Sequence, residues 1–359
     1  MVGRSLGDTA NERDATPVDG AVLWLGEPLT EQVLDRLEGR RPAWIAAWAG
    51  SAIATPLVLL SILWLFGRPL PPSTEPTLFR AGPEADVFLP QVVLAYAIAV
   101  ALWGTGRLVR VARALEPTLR RLTASDRPTR LAPTTANVIV PLGLSVVVAL
   151  VNNAGSWERY GPLIALFLLP LLFIAVVPLI TFVWTFVIVL VGLDRLGRAR
   201  LELDPFPQDR SLGLGPVGAL AYTGFVILFA FAIPILLTNT TDLSDPALIV
   251  DLVVVIASVP LFFLSMWRLH RQMSEAKATY VARTRALYAA AYEPLRDDPG
   301  VETLQAQAPA LSAAQALAER ADKILEWPIS ERLTAVLGVI VVGVITSLLV
   351  RFIIVGVGI

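Results

Sequence analysis

The sequence predicts an all-α protein, a polytopic membrane bundle of about seven transmembrane helices with a cytoplasmic helical pair. Two observations lead to this fold class. The chain is 55% hydrophobic and only 16% charged, whereas soluble proteins carry about 25% charged residues. Its apolar residues are concentrated in seven long runs, and the Arg and Lys residues between the runs are alternately frequent and rare, as the positive-inside rule predicts.

The apolar runs predict helices because each is long enough to cross the bilayer in that conformation. A helical span takes about 17 to 25 residues, whereas the strands of a membrane barrel are shorter and alternate in polarity. A helix also satisfies all of its backbone hydrogen bonds within lipid. The predicted spans are 43–66, 87–106, 136–152, 161–192, 216–238, 247–267 and 333–359.

The basic residues predict how these spans are threaded. From the N-terminus, the segments outside the runs hold 5, 2, 7, 1, 4, 0 and 9 Arg and Lys residues, and Arg351 lies inside the last run. Because basic loops stay on the cytoplasmic side, the N-terminus is expected inside the cell and the C-terminus outside. The polar N-terminal tail does not resemble a cleavable signal peptide, so the first span is expected to insert uncleaved into the plasma or inner membrane.

The N-terminal segment, 1–42, is expected in the cytoplasm. Residues 1–20 have the polar composition of a disordered tail, and 30–38 predict a short amphipathic helix with Thr30 as its N-cap and Gly39 as its end. This helix is expected to lie against the inner membrane surface or the bundle. Its apolar face consists of Val33, Leu34 and Leu37.

The six-span region, 43–267, contains two features that leave alternatives open. In the first span Ala46, Gly50 and Ala54 are spaced by four residues, which predicts close helix packing, either within the bundle or between subunits of a homo-oligomer. The run 161–192 is long enough for one tilted crossing or two short ones. A second crossing would place the most basic segment outside, so the charges favour a single, proline-kinked crossing.

The segment 268–332 predicts a cytoplasmic helical hairpin, followed by the seventh span at 333–359. Apolar and small residues recur every three or four positions in two stretches, and Pro294 and the sequence at 297–300 are expected to break the helix between them. The hairpin is either an antiparallel pair or part of a coiled coil between subunits, and residues 270–326 are a candidate surface for a cytoplasmic protein partner. The two apolar sets are Met273, Ala276, Tyr280, Leu287 and Ala290, and Ala310, Ala314, Leu317, Ala321 and Ile324.

A layer of polar residues in the outer third of the spans is the first candidate binding site. Asp251 and Arg351 are expected to lie at similar depths, since a helix rises about 1.5 Å per residue, and a buried charge in lipid needs a partner. They either pair or extend separately to the headgroups. The full candidate set in this layer is Gln91, Asn152, Asn153, Asp251 and Arg351.

The loop 204–216 is a second candidate. Gly213 and Gly215 allow unusual backbone angles, and Pro216 suits the first turn of a helix. The loop predicts either a compact turn at the membrane boundary or a phosphate or lipid-headgroup site that uses Arg210. The single histidine, His270, follows a span in a basic stretch and is expected to be a solvated interface residue.

The composition excludes several kinds of function. Cysteine is absent and there is one histidine, which excludes disulfides, thiolate catalysis and multi-histidine zinc sites. No cofactor, nucleic-acid partner or catalytic constellation is predicted, so the chain is not expected to be an enzyme. The leading prediction is a passive channel-like or transport-related membrane protein, and the alternative is a signalling or scaffold protein whose cytoplasmic helices dock a partner.

Overall fold

The structure, a computed structural model, is helical throughout its regular parts. It describes residues 28–35, 40–65, 85–123, 135–199, 201, 203, 210–238, 246–297 and 300–329, and a few positions between 335 and 346. Within these residues there are eight helices and no strands. They are α1 (Leu29–Asp35), α2 (Arg41–Leu65), α3 (Ala85–Thr123), α4 (Ala136–Tyr160), α5 (Pro162–Leu196), α6 (Gly215–Thr238), α7 (Pro246–Asp297) and α8 (Val301–Asp322).

Four of the described helices are long and apolar enough to cross a membrane. The qualifying stretches lie in α3, α4, α5 and α6, at Gln91–Leu119, Ala136–Ala154, Pro162–Leu196 and Gly215–Pro234. This agrees with an all-helical, membrane-embedded protein. The predicted spans 43–66 and 247–267 are also helical, as α2 and the first half of α7. Most of 333–359 lies outside the described residues.

The long apolar run after Gly161 forms one uninterrupted helix, α5, with Pro170 and Pro178 inside it. Because Pro178 has no N–H, the carbonyl of Ile174 loses its usual helical donor. The indole Nε1 of Trp48, in α2, donates a hydrogen bond to that carbonyl over 2.9 Å. The proline therefore creates an acceptor in α5 that a neighbouring helix uses.

Helix α7 runs through the predicted boundary between the sixth span and the hairpin. It continues for 52 residues, which is roughly 78 Å at about 1.5 Å per residue, so the predicted span and the first helix of the hairpin are one continuous helix. Pro294 does not end the helix, since it lies inside the last turns of α7, and the carbonyl it frees belongs to the exposed Ala290, which water can reach. The break comes at Gly300, whose extended backbone precedes α8.

The centre of the bundle is a column of aromatic rings from α5, α6 and α7. Phe225 lies 4.5 Å from Phe229 and 5.0 Å from Phe262, measured between ring centroids. Phe182 stacks on Phe186 in α5, and all five side chains are buried. The described core of the bundle is therefore filled with apolar side chains.

Helix α1 is a buried part of the bundle, with contacts to α2, α3, α4 and α5. Thr30 is not the N-cap, because it lies inside the helix, and its buried Oγ1 has no hydrogen-bond partner among the described residues. Glu31 is buried and forms a 2.5 Å ion pair with Arg41 of α2. Of the predicted apolar face, Leu34 is buried and Val33 is exposed, while Leu37 and Gly39 lie outside the described residues.

The small-residue face of α2 points away from the other helices that the structure describes. Ala46 and Ala54 are exposed, and a Cβ built on Gly50 would meet nothing within 4 Å. Ala49 and Ala52 make the intramolecular contact instead, as part of an apolar cluster with Leu34. Among the described residues, packing within the bundle therefore does not account for the predicted four-residue spacing.

Candidate docking hairpin and its membrane-proximal stem

The two adjacent asparagines of the predicted polar layer point in different directions. The exposed Asn152 donates from Nδ2 to the carbonyl of Val148 in its own helix, over 2.9 Å. Asn153 is buried and donates from Nδ2 to the carbonyl of Ala165, in α5, over 2.8 Å. Asn153 therefore ties α4 to α5, and sequence reasoning did not assign it this role.

The other members of the layer are only partly described. Gln91 is half-buried in the first half of α3. Asp251 lies in α7, but its side chain is outside the described part of the structure, and Arg351 lies outside the described residues altogether. The pairing of Asp251 with Arg351 therefore stays a prediction.

The turn before α6 is compact and buried. Leu212 and Gly213 have left-handed backbone angles, with φ of 54° and 84°, whereas Gly215 begins α6 and Pro216 follows in its first turn, as predicted for Pro216. Leu212 and Leu214 are fully buried. Arg210 is exposed, and its carbonyl accepts the N–H of Leu325 over 2.9 Å, which ties this turn to the segment after α8.

That segment, 324–329, is the first of two straps that hold the base of the hairpin, and it packs on α7 through His270. The His270 ring stacks on Trp327 with centroids 4.2 Å apart, and its Nδ1 lies 2.8 Å from the carbonyl oxygen of Glu326. Because a carbonyl only accepts, Nδ1 carries the proton in this bond. Lys277 Nζ lies 3.3 Å from Glu326 Oε1. The His270 ring is half-buried between these partners, whereas a solvated interface residue was expected.

The same strap also packs closely against α6. A Cβ on Gly218 would lie 1.9 Å from the backbone oxygen of Pro328. No side chain fits at position 218 without moving that backbone, so glycine is required for the close approach.

The second strap, of which residues 197–199, 201 and 203 are described, follows α5 and is held by polar side chains of α7. Gln272 donates from Nε2 to the carbonyls of Gly197 and Ala199, over 2.8 and 2.9 Å. These carbonyls follow the end of a helix and need donors from elsewhere. Farther along α7, the Tyr280 hydroxyl lies 3.5 Å from the Leu203 carbonyl. The residues 266–280 of α7, together with both straps, are called the stem below.

A small charge network lies where α5 and α7 leave their apolar runs. Asp194 Oδ2 accepts hydrogen bonds from Arg198 Nε and Nη2, at 3.0 and 2.5 Å, and Asp194 Oδ1 lies 3.0 Å from Arg268 Nε. The contact aligns the ends of the two apolar runs at one level, next to the exposed Trp267. Sequence reasoning missed this network, although the Asp194–Arg198 spacing of four residues was a visible signal.

Beyond the stem, α7 and α8 pack against each other as an antiparallel pair. In α7, Thr284 is buried at 7% exposure, and in α8 Ala314 and Ala321 are buried, as the predicted small-residue seam requires. Leu287 and Ala290 of the predicted seam are exposed instead. A helix with a single partner buries only a stripe of its surface, and here these two positions fall outside it.

The far end of the hairpin exposes large apolar side chains. Tyr288 and Tyr292 stack with centroids 6.3 Å apart on α7, although both rings are about half exposed. Residues 303–318 of α8 carry no charged side chain. The exposed set, called the distal patch below, is Leu287, Tyr288, Tyr292, Val301 and Leu304.

Among the residues the structure describes, no group of three or more His, Asp or Glu side chains is placed to hold a metal ion. The hairpin offers apolar contact area at its far end and fixed charges at its base. Comparison with protein-family models, with curated proteins and with solved structures finds no match to this chain.

Proposed function

We propose that the protein is a membrane-anchored docking protein, a scaffold or signalling component that presents the α7–α8 hairpin to a cytoplasmic protein. The observation that carries this proposal is the distal patch, where Leu304 and Val301 are 53% and 72% exposed. Exposed clusters of large apolar side chains commonly mark interaction surfaces. Each such side chain contributes roughly 1.5–3 kcal/mol when it is fully buried.

The stem supports this proposal because it fixes the position of the patch. α7 runs without a break from the predicted sixth span to Asp297, and the two straps hold its base through Gln272 and Trp327. A docking surface on a preorganised support loses less conformational entropy when a partner binds. The bundle then serves as an anchor, which agrees with its aromatic core.

Site-specific photo-crosslinking in intact cells tests the docking function. A photoreactive amino acid at Leu304 or Tyr292 is expected to give a discrete adduct with another protein, and Leu304→Glu is expected to abolish the adduct formed at Tyr292. The exposed Gln315 of the same hairpin is the matched control position. Equal adducts at Gln315 and Leu304, or none at either patch position, would contradict the proposal.

We also propose the full topology of seven spans, with the N-terminus and the hairpin in the cytoplasm and the C-terminus outside. It rests on the alternation of basic residues along the chain. Because the chain has no cysteine, single cysteines can be introduced without background. A membrane-impermeant maleimide applied to intact cells should label a cysteine at Ile359 and leave one at Gln315 unlabelled, and the reverse pattern would overturn the topology.

The passive conduit is the competing proposal, and proline within the helices favours it. Pro170, Pro178, Pro234 and Pro260 all lie inside long helices, and each weakens the helix locally in a way that gating can use. A conduit would have to form between copies of the chain or by movement of the aromatic column. Conductance of the purified protein in planar bilayers, abolished by a proline-to-alanine variant, would favour the conduit over the anchor.

A further inference from the structure

We infer that Arg198 and Arg268, held side by side by Asp194, form a binding site for a phosphate group at the headgroup level of the bilayer. The ligand is either the phosphate of an anionic phospholipid or a soluble phosphate monoester. This site is independent of the docking patch and depends only on the membrane embedding of α5 and α7.

The network contains more positive than negative charge. A single carboxylate, Asp194, contacts both guanidinium groups, which leaves one positive charge uncompensated. Arg271, one helical turn away, has its own partner, because its Nε lies 2.9 Å from Glu275 Oε1.

Several N–H donors of the two guanidinium groups remain available for a ligand. A guanidinium has five N–H donors, and Asp194 engages Nε and Nη2 of Arg198 but only Nε of Arg268. The two side chains are 54% and 51% exposed, so a ligand can reach them. Guanidinium forks match the geometry of phosphate oxygens, which they bind in bidentate fashion.

The third argument is that nearby acceptors are already occupied. The carbonyls of Gly197 and Ala199 follow the end of α5 and would compete for the arginines, but both accept hydrogen bonds from Gln272. Gly197 also lets the backbone of α5 approach Arg268 closely, since a Cβ there would lie 2.6 Å from Arg268 Cβ. The close approach places both guanidiniums on one carboxylate.

The location is the fourth argument. Asp194 and Arg268 are the first charged residues after the apolar runs of their helices, and the exposed Trp267 lies next to them. Tryptophan and arginine at the end of a span lie at the level of the lipid phosphates. A phospholipid that packs its chains against α5 and α7 therefore brings its phosphate to the two arginines.

Binding of lipid to the purified full-length protein tests this site. Native mass spectrometry in detergent should show preferential binding of phosphatidylglycerol over phosphatidylcholine. The variant Arg198→Gln/Arg268→Gln should bind phosphatidylglycerol at least about tenfold more weakly, because it removes both charged hydrogen-bond donors. The matched control Arg271→Gln should bind as the wild type does.

Two further arms complete the test. The first uses glycerol 3-phosphate, which lacks acyl chains. Binding to the wild type but not to the double glutamine variant would support a soluble phosphate ligand. Binding to neither protein would support a lipid ligand. Arg198→Lys/Arg268→Lys keeps both positive charges and should lose the bidentate contacts, with weaker binding than the wild type. Equal lipid binding by wild type, glutamine and lysine variants would overturn the inference, and so would equal loss in Arg271→Gln.

Discussion

Two parts of helix α7, the part in the stem and the part that carries the distal patch, differ in how buried their apolar side chains are, although they belong to one continuous helix. In the stem, Met273 is fully buried, and Gln272 and His270 bind the straps. In the distal half, Leu287 and Tyr292 remain about half exposed. The buried contacts of the stem therefore stabilise the hairpin, whereas the distal half leaves its apolar area available for a partner.

The largest expected change in the free energy of unfolding distinguishes the stem from the distal half of α7. Met273→Ala should lower the free energy of unfolding by about 2–5 kcal/mol, because it leaves a cavity in a buried cluster. Leu287→Ala should change it by less than about 0.5 kcal/mol, as exposed substitutions usually do. Denaturation of the detergent-solubilised protein measures both. Crosslinking from Tyr292 should show the opposite order, with Leu287→Ala the more harmful, and a Leu287→Ala variant as unstable as Met273→Ala would remove the distinction.

Glycine substitution sharpens the comparison at the strap. Gly218→Ala should destabilise the protein by about 1–3 kcal/mol, since its Cβ would meet the Pro328 backbone, which has little room to move. Gly50→Ala is the matched control, because a Cβ there meets nothing, and alanine in an exposed helix stabilises by about 0.5–1 kcal/mol relative to glycine. Thermal unfolding measures both variants, and equal melting temperatures for the two would show that the strap does not pack at Gly218.

Loss of the amide at Gln272 should have an effect that is confined to the second strap. Gln272→Ala removes two hydrogen bonds to carbonyls, which together contribute about 1–3 kcal/mol, and should increase hydrogen exchange at 197–203. Gln315→Ala, at an exposed position of α8, is the control and should leave exchange unchanged. Faster exchange over the whole of α7 in Gln272→Ala would mean that the stem is one cooperative unit and the strap has no separate stability.

The sequence predicted the apolar helices well because a long apolar run allows few alternatives in lipid. The predicted span 216–238 corresponds to α6 from Gly215 to Thr238, and 136–152 corresponds to the first part of α4. The continuity of α7 was missed because the change from apolar to charged residues at Arg268 looks like a boundary. Helix propensity does not stop there, since no glycine or proline interrupts the chain between 261 and 293.

The candidate sites were harder to predict because their contacts join distant parts of the chain. Gln272 and Gly197 are 75 residues apart, and no local pattern shows that a glutamine in a basic stretch binds carbonyls of another helix. Asp194 was visible as a carboxylate with Arg198 four residues later, but the contribution of Arg268 depends on how closely α5 and α7 pack. Leu287 of the distal patch was assigned to the helix seam because periodicity identifies an apolar face without showing whether a partner covers it.

The smallest expected change in the free energy of unfolding concerns the membrane bundle rather than the hairpin. Trp48→Phe keeps most of the ring and removes the N–H that binds the Ile174 carbonyl, with an expected loss of about 0.6 kcal/mol, the average for hydrogen bonds between membrane helices. The exposed Trp44 gives the control, Trp44→Phe, which should have no effect. Pro178→Ala restores an N–H in α5 that can bind the same carbonyl, so Trp48→Phe should cost less in that background than in the wild type. A double-mutant cycle of unfolding free energies measures this coupling, and strictly additive losses would mean that the indole does not substitute for the donor that proline lacks.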